Sequence, residues 1–212
     1  MYEKYGQFTY GKWHKSSTGE TYEVINPANE EVLGQASKAS PEDVNKALLS
    51  AQKGLEVWKK TPPWQRAYVL RRIADKMREK QDILAKWMTL EVGKPFAEAK
   101  GEVNGAADIY EWNAEETKRI YGQTVESRFE DTRVHVYYQP VGVVAALVPW
   151  NFPLVLSARK ISTALAAGCS VIVKPDVITP GVVMEQVEIC RECGVPPGVV
   201  NLLSGDPPSI AQ

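Results

Sequence analysis

The sequence predicts an α/β protein: an incomplete, doubly wound parallel sheet with N-terminal helices and a β-hairpin. From Val141 onward, apolar runs alternate with helical segments in the order strand, helix, strand, helix, strand. An alternation of this kind builds right-handed β-α-β units and a parallel sheet. Before Gly122, apolar residues instead recur every three or four positions, which is typical of amphipathic helices that pack on another layer.

Composition excludes several classes of function. The chain has 212 residues, of which 44% are hydrophobic, and a formal net charge of -1 from 25 basic and 26 acidic residues. This balance gives no electrostatic reason to expect nucleic acid or an anionic membrane as a partner. The apolar runs are shorter than the roughly 20 residues of a membrane span, and the polar N-terminus does not resemble a signal peptide. A cytoplasmic protein is therefore expected.

The three cysteines are odd in number, which suits a reducing compartment rather than a disulfide framework. Cys190 and Cys193 form a C-x-x-C pair at the end of a predicted helix. No second pair and no nearby histidine accompanies them, so no metal site is predicted.

Residues 1–122 are predicted to hold short strands followed by three helices that pack on the next domain. Ser40 is a suitable N-cap for the first helix, and Asp43 completes a near capping box. Further helical runs are predicted over about residues 64–92 and 96–121, each closed by glycine.

In residues 123–140, apolar and polar residues alternate with a period of two on both sides of Glu130-Asp131, and this pattern predicts a β-hairpin. Residues 141–212 hold the three strand-like runs VGVVAALV, SVIVKP and GVVNLLSG. The first run is continuously apolar, as expected of a parallel strand covered on both faces. Such a sheet is incomplete and open on one edge, which indicates either completion by another chain or a fragment of a longer protein.

The segment LVPWNFPLVLSARK, from Leu147 to Lys160, resembles the aldehyde dehydrogenase superfamily, and in particular its succinic semialdehyde dehydrogenase-like members. The segments INPANEEVLG, EVGKP, VIVKP and GVPPGVVNLLSG resemble the same family in order and spacing, so the similarity covers nearly all of residues 20–206. The resemblance implies a Rossmann-like sheet of the aldehyde dehydrogenase type. It also implies NAD(P)-dependent oxidation of an aldehyde to a carboxylic acid through thiohemiacetal formation, hydride transfer and thioester hydrolysis.

Asn151 is the first candidate catalytic residue. Ligands of open α/β sheets bind beyond the carboxyl ends of the strands, where Asn151 is predicted to lie. Pro149 and Pro153 restrict the backbone on both sides of it. In the resembled family, the matching asparagine stabilises the oxyanion formed when a cysteine thiolate attacks the aldehyde. The alternative is that Asn151 caps the helix that begins near Pro153.

The resemblance also implies a site for NAD or NADP. Lys174 would hydrogen-bond the adenosine ribose; the alternative is a solvated lysine at a strand end. The other predicted cofactor-binding residues are Val148, Pro149, Trp150 and Gly205. Val177 departs from the family pattern, which often has a ribose-binding glutamate there, and this departure leaves NADP open.

The helix after PWNFP supplies the remaining candidates. By resemblance, Lys160 has a supporting electrostatic or proton-transfer role, and Arg159 and Phe152 line the substrate pocket. A guanidinium suits a carboxylate, so the substrate is expected to be a small aldehyde, and an acidic one such as a semialdehyde is a candidate. Because adjacent helix residues point about 100° apart, one of the two cations can be simply solvated.

Two parts of the family's chemistry are missing from the sequence. None of the three cysteines occupies the position of the nucleophile, and the glutamate that acts as general base has no counterpart. The chain is therefore expected to be inactive alone and to belong to an enzyme that forms a dimer or tetramer through the hairpin. The alternative is a non-catalytic aldehyde dehydrogenase-like binding or assembly module.

Overall fold

The structure, a computed structural model, describes residues 2–206. Its strands are β1 (Gln7–Thr9), β2 (Lys12–His14), β3 (Thr21–Ile25), β4 (Val32–Ser37), β5 (Gln123–Glu126), β6 (Arg133–Val136), β7 (Val143–Leu147), β8 (Ser170–Lys174) and β9 (Val200–Leu202). Its helices are α1 (Pro41–Trp58), α2 (Pro63–Glu79), α3 (Gln81–Val92), α4 (Phe96–Thr117), α5 (Pro153–Ala167) and α6 (Pro180–Glu192).

The main sheet confirms the predicted α/β fold. It has the strand order β2-β1-β9-β8-β7, and β7, β8 and β9 are parallel. The helices α5 and α6 are the crossovers between these parallel strands, as the alternating pattern predicts. Strand β1 pairs antiparallel with β9 through Phe8 and Leu202, so the N-terminal segment extends the sheet on that side.

Strand β7 is the outer strand of this sheet within residues 2–206, and here the prediction of cover on both faces is wrong. Only Ala146 of its five residues is buried, and Leu147 is 63% exposed. Strand β8 does fit the prediction, because four of its five residues are buried. The apolar composition of a strand predicts that it is buried, but it does not show which element covers the strand.

Local signals place several helix ends correctly, although α4 ends at Thr117 and not at the predicted residue 121. The capping box between Ser40 and Asp43 is present at the start of α1, and Gly93 and Gly168 end α3 and α5 in the left-handed conformation. The single helix predicted over residues 64–92 is wrong. Lys80 leaves helical geometry with φ -92° and ψ 19°, and it divides the run into α2 and α3.

The core lies between the sheet and the helices α5 and α6, and it continues between α5 and the helices α2 and α4 that pack on it. Its largest fully buried side chains include Leu70, Tyr110, Leu154 and Ile161. The hairpin β5–β6 is present as predicted and lies at the surface, with Phe129 59% exposed at its turn. Its role in oligomerisation and the division into segments 1–122, 123–140 and 141–212 stay predictions. No helix within residues 2–206 is long and apolar enough to span a membrane.

Candidate active site

The chain segments that follow the three parallel strands emerge at one edge of the sheet. The amide of Val148 donates to the carbonyl of Lys174 at 2.9 Å, and the amide of Leu203 donates to Val173 at 2.9 Å. This ladder places Val148, Lys174 and the nearby Gly205 at the carboxyl edge. Ligands of open α/β sheets bind at this edge.

Lys174 is not the solvated lysine of the alternative interpretation, because it is only 9% exposed. Its ammonium makes no hydrogen bond or ion pair with any residue between 2 and 206. Burial lowers the pKa of Lys174, while the negative charges of Asp176 and Asp206 act in the opposite direction. A largely buried cation without a hydrogen-bond partner among residues 2–206 is costly, and its N–H groups are suited to donate to acceptor atoms of a ligand.

Other residues that were considered for cofactor binding lie near Lys174 at this edge. Trp150 is 51% exposed and Pro149 is also exposed, so both are accessible beyond β7. Asp176 is partly engaged in its own turn, where its Oδ1 accepts from the amide of Ile178 at 3.1 Å. Val177 is half-buried and has no acceptor to offer a ribose.

A groove of about 490 Å³ lies beside this edge, between α4 and α5. Three of the predicted catalytic and substrate residues line it: Asn151, Phe152 and Arg159. The guanidinium of Arg159 is exposed and has no hydrogen-bond or ion-pair partner among residues 2–206. Lys160 is also exposed, but it lies one helix position further on and does not line the groove.

The side chain of Asn151 does not cap α5. The N-cap residue is Phe152, and no side chain of the cap residue bonds to the first turn. Asn151 is exposed, and its carboxamide makes no hydrogen bond with any residue that the structure describes. The capping interpretation is therefore not supported, and Asn151 lines the groove instead.

Sequence reasoning missed two glutamates that hold the N-termini of the crossover helices. Oε1 of Glu102 accepts from the amides of Leu154 and Val155 in α5 at 3.0 and 3.2 Å. Glu91 accepts from the amides of Gly181 and Val182 in α6 at 2.6 and 3.2 Å. The EVGKP segment, which contains Glu91, was the only sequence signal that pointed to either residue.

Glu91 is fully buried and also accepts a hydrogen bond of 2.7 Å from the hydroxyl of Tyr2. Burial raises the pKa of Glu91 to about 7, although the hydrogen bonds from Tyr2, Gly181 and Val182 act to lower it. The carboxylate thus connects the N-terminal segment, α3 and the start of α6.

The three thiols lie away from the groove. Cys169, Cys190 and Cys193 are 2%, 1% and 3% exposed and form no disulfide. Burial raises the pKa of Cys190 to about 12 and also raises the pKa of Cys193. Among residues 2–206, no group of three or more His, Cys, Asp and Glu side chains is placed to hold a metal ion.

Comparisons of the sequence and of the structure with known proteins all identify aldehyde dehydrogenases as similar proteins. The sequence profile described as "Aldehyde dehydrogenase family" matches residues 13–212. The succinate-semialdehyde dehydrogenase [NADP(+)] GabD of Escherichia coli is 44% identical over 195 residues, which cover 92% of this chain and 40% of that protein. The glutarate-semialdehyde dehydrogenase of Pseudomonas putida is also 44% identical, over 92% of this chain and 41% of its own length.

Among solved structures, a point mutant of betaine aldehyde dehydrogenase from Staphylococcus aureus in complex with NAD+ has a TM-score of 0.95. It is 33% identical, and the match covers 98% of this chain and 42% of that one. The chain thus spans less than half the length of the proteins it matches.

Proposed function

Because the chain belongs to the aldehyde dehydrogenase family, we propose that it forms part of a site that oxidises a small aldehyde to a carboxylic acid with NAD or NADP. The observation that carries this proposal is the carboxamide of Asn151, which is exposed at the carboxyl edge of a doubly wound sheet and has no hydrogen-bond partner in the described part of the chain. The whole protein's activity and substrate are inferred from this site and from the family.

Asn151 would act on the oxyanion that forms when a thiolate adds to the aldehyde carbonyl. A neutral amide donor stabilises this negative charge without needing to lose or gain a proton. Removing one such donor from an enzyme typically costs about 3–4 kcal/mol of transition-state stabilisation. The attacking thiolate is not supplied by Cys169, Cys190 or Cys193, because all three are buried away from Asn151.

The carboxyl edge fits a nicotinamide dinucleotide, which accepts the hydride of the aldehyde when it is bound. The largely buried ammonium of Lys174, which makes no hydrogen bond with residues 2–206, would donate to hydroxyl oxygens of the adenosine ribose. Val148, Pro149, Trp150 and Gly205 would line the same cleft. Val177 cannot accept the hydrogen bonds of two ribose hydroxyls, so the proposal covers both NAD and NADP.

Titration of the chain with NAD+ and NADP+ by calorimetry tests the cofactor part. We expect Lys174→Met to weaken binding by about tenfold or more, since a hydrogen bond to a charged group contributes about 1.5–3 kcal/mol. Lys60→Met, which removes an exposed cation at the end of α1, is the matched control and should leave the affinity unchanged. Equal affinities for the parent chain and Lys174→Met would rule out the ribose-binding role.

Arg159 supports the further proposal that the substrate carries a carboxylate. Its guanidinium has no partner within residues 2–206, and the residue lines the same groove as Asn151 and Phe152. A planar guanidinium pairs with a carboxylate through two parallel hydrogen bonds. The names of the E. coli and P. putida relatives, which contain a semialdehyde, agree with this assignment.

Succinate, as a probe for the acidic end of such a substrate, is expected to shift the amide NMR signals of residues around the groove. Arg159→Met should weaken succinate binding by about tenfold, because the bidentate pair is lost. Lys160→Met removes the adjacent cation, which lies outside the groove, and should bind succinate as the parent does. If both variants weaken binding equally, the effect comes from net charge and not from a site at Arg159.

A further inference from the structure

The chain segment between β7 and α5, which carries Asn151, lacks acceptors for the start of its helix. Pro153 has no backbone N–H, and the amide of Leu156 donates to the carbonyl of Phe152 at 3.0 Å. The amides of Leu154 and Val155 have no acceptor within α5, as is usual for a first helical turn. The conformation of this segment therefore depends on a group from another element.

Glu102 of α4 supplies that group. One carboxylate oxygen accepts from both free amides, at 3.0 and 3.2 Å, and the residue is only 6% exposed. A carboxylate is favoured at a helix N-terminus, where the unpaired N–H groups and the helix dipole are positive. A buried carboxylate also requires charge compensation, because its desolvation is costly.

Lys94 provides the compensation through an ion pair with the second oxygen of Glu102. The side chain of Lys94 is 10% exposed, so water screens this pair little. The same ammonium lies 3.3 Å from the backbone carbonyl of Asn151 and 3.9 Å from the centroid of the Phe152 ring. One cation thus contacts the two residues before α5, while its carboxylate partner holds the two amides inside it.

The backbone at the end of α3 makes this arrangement possible. Gly93 adopts a left-handed conformation with φ 74° and ends the helix, and Lys94 follows directly in the chain. Glu91, on the last turn of the same helix, accepts from two amides at the start of α6, one with each carboxylate oxygen. The EVGKP segment therefore contacts the start of both crossover helices.

We propose that the Lys94–Glu102 ion pair is a positioning device that fixes the backbone of residues 151–155 and thereby aims the carboxamide of Asn151. Neither residue is a catalytic residue, since both act through the loop. The consequence for turnover rests on the proposed function, because only then does the direction of the Asn151 amide matter. The effect of the ion pair on the backbone of residues 151–155 does not depend on that function.

Amide hydrogen exchange, measured by NMR on the isotope-labelled chain, tests whether the ion pair fixes this backbone. In Glu102→Gln and in Lys94→Met, the amides of Leu154 and Val155 should exchange about tenfold faster, since each bond to the charged carboxylate is weakened. The side-chain NH2 signals of Asn151 should shift in both variants. The double variant should exchange no faster than the more affected single variant, because the two groups act as a unit.

Two matched controls lie on the same helix. Glu98→Gln removes an exposed carboxylate one turn before Glu102 on the wall of the same groove, and Lys100→Met removes a cation paired with Asp82. Both should leave the exchange of Leu154 and the signals of Asn151 unchanged. Lys94→Arg, which keeps the cation, should retain most of the protection. If Glu102→Gln does not fold, Lys94→Met and Lys94→Arg carry the comparison.

Unchanged exchange and unchanged Asn151 signals in Lys94→Met would overturn the proposal, as would additive effects in the double variant. The outcome is separable from that of the proposed function. Faster exchange in a chain that binds neither NAD+, NADP+ nor succinate would support the positioning device and count against the dehydrogenase site. Unchanged exchange in a chain that does bind NAD+, NADP+ or succinate would overturn the positioning device and support the dehydrogenase site.

Discussion

Replacing Gly181 with alanine is expected to destabilise the protein by about 3 kcal/mol, which corresponds to a melting temperature roughly 6–12 °C lower for a chain of this size. Gly181 lies in the first turn of α6, and a Cβ there would overlap the ring of Trp87 and lie 2.7 Å from Oε1 of Glu91. Trp87 is 5% exposed and packs against Tyr2 at a centroid distance of 5.1 Å, so its ring has little room to move.

Gly101→Ala is the matched control for this prediction. Gly101 lies within α4, and a Cβ at that position would meet no atom within 4 Å. We expect this variant to be more stable by about 0.5–1 kcal/mol, because alanine has the higher helix propensity. Urea unfolding of both variants and the parent gives the comparison. A Gly181→Ala variant as stable as Gly101→Ala would show that Trp87 and Glu91 do not require the close approach.

The helix ends that the sequence predicted correctly depend on residues adjacent in the chain. The capping box of Ser40 and Asp43 and the end of α3 at Gly93 require only local backbone chemistry, so their signals stand in the sequence itself. The break at Lys80 has no such signal. No glycine or proline marks it, and the helical periodicity continues across it.

The residues of the candidate site also fall into two groups, those that a continuous sequence motif contains and those that meet only in the folded chain. Asn151 and Arg159 were found because they belong to one continuous motif, and the groove contains both of them. Glu102 lies 52 residues before Leu154 in sequence, and Glu91 lies 90 residues before Gly181. A single sequence does not indicate which of its 26 acidic residues meets a distant helix N-terminus, because that pairing depends on tertiary packing.

The second large effect is expected in the pH dependence of stability, and Glu91 is its source. The ordinary pKa of this carboxyl is 4.5, and burial raises it to about 7 in the folded protein. Between these values the folded chain retains a proton that the unfolded chain has lost. The stabilising contribution is therefore fully present below pH 4.5 and is lost as the pH rises through 7, with a total on the order of 3 kcal/mol. Tyr2 stays neutral throughout, since burial raises its pKa well above the ordinary value.

Glu91→Gln removes the ionisation while keeping the side-chain volume and one acceptor for the amide of Gly181. The free energy of unfolding, measured in urea at pH 5.5, 6.5 and 7.5, should fall with pH in the parent and remain nearly level in this variant. Glu98→Gln removes an exposed carboxyl and should keep the slope of the parent. A slope that persists in Glu91→Gln would show that this carboxyl keeps one charge state over this pH range and would exclude Glu91 as the source of the pH dependence. The hydrogen bonds from Tyr2, Gly181 and Val182 would then contribute equally to stability at all three pH values.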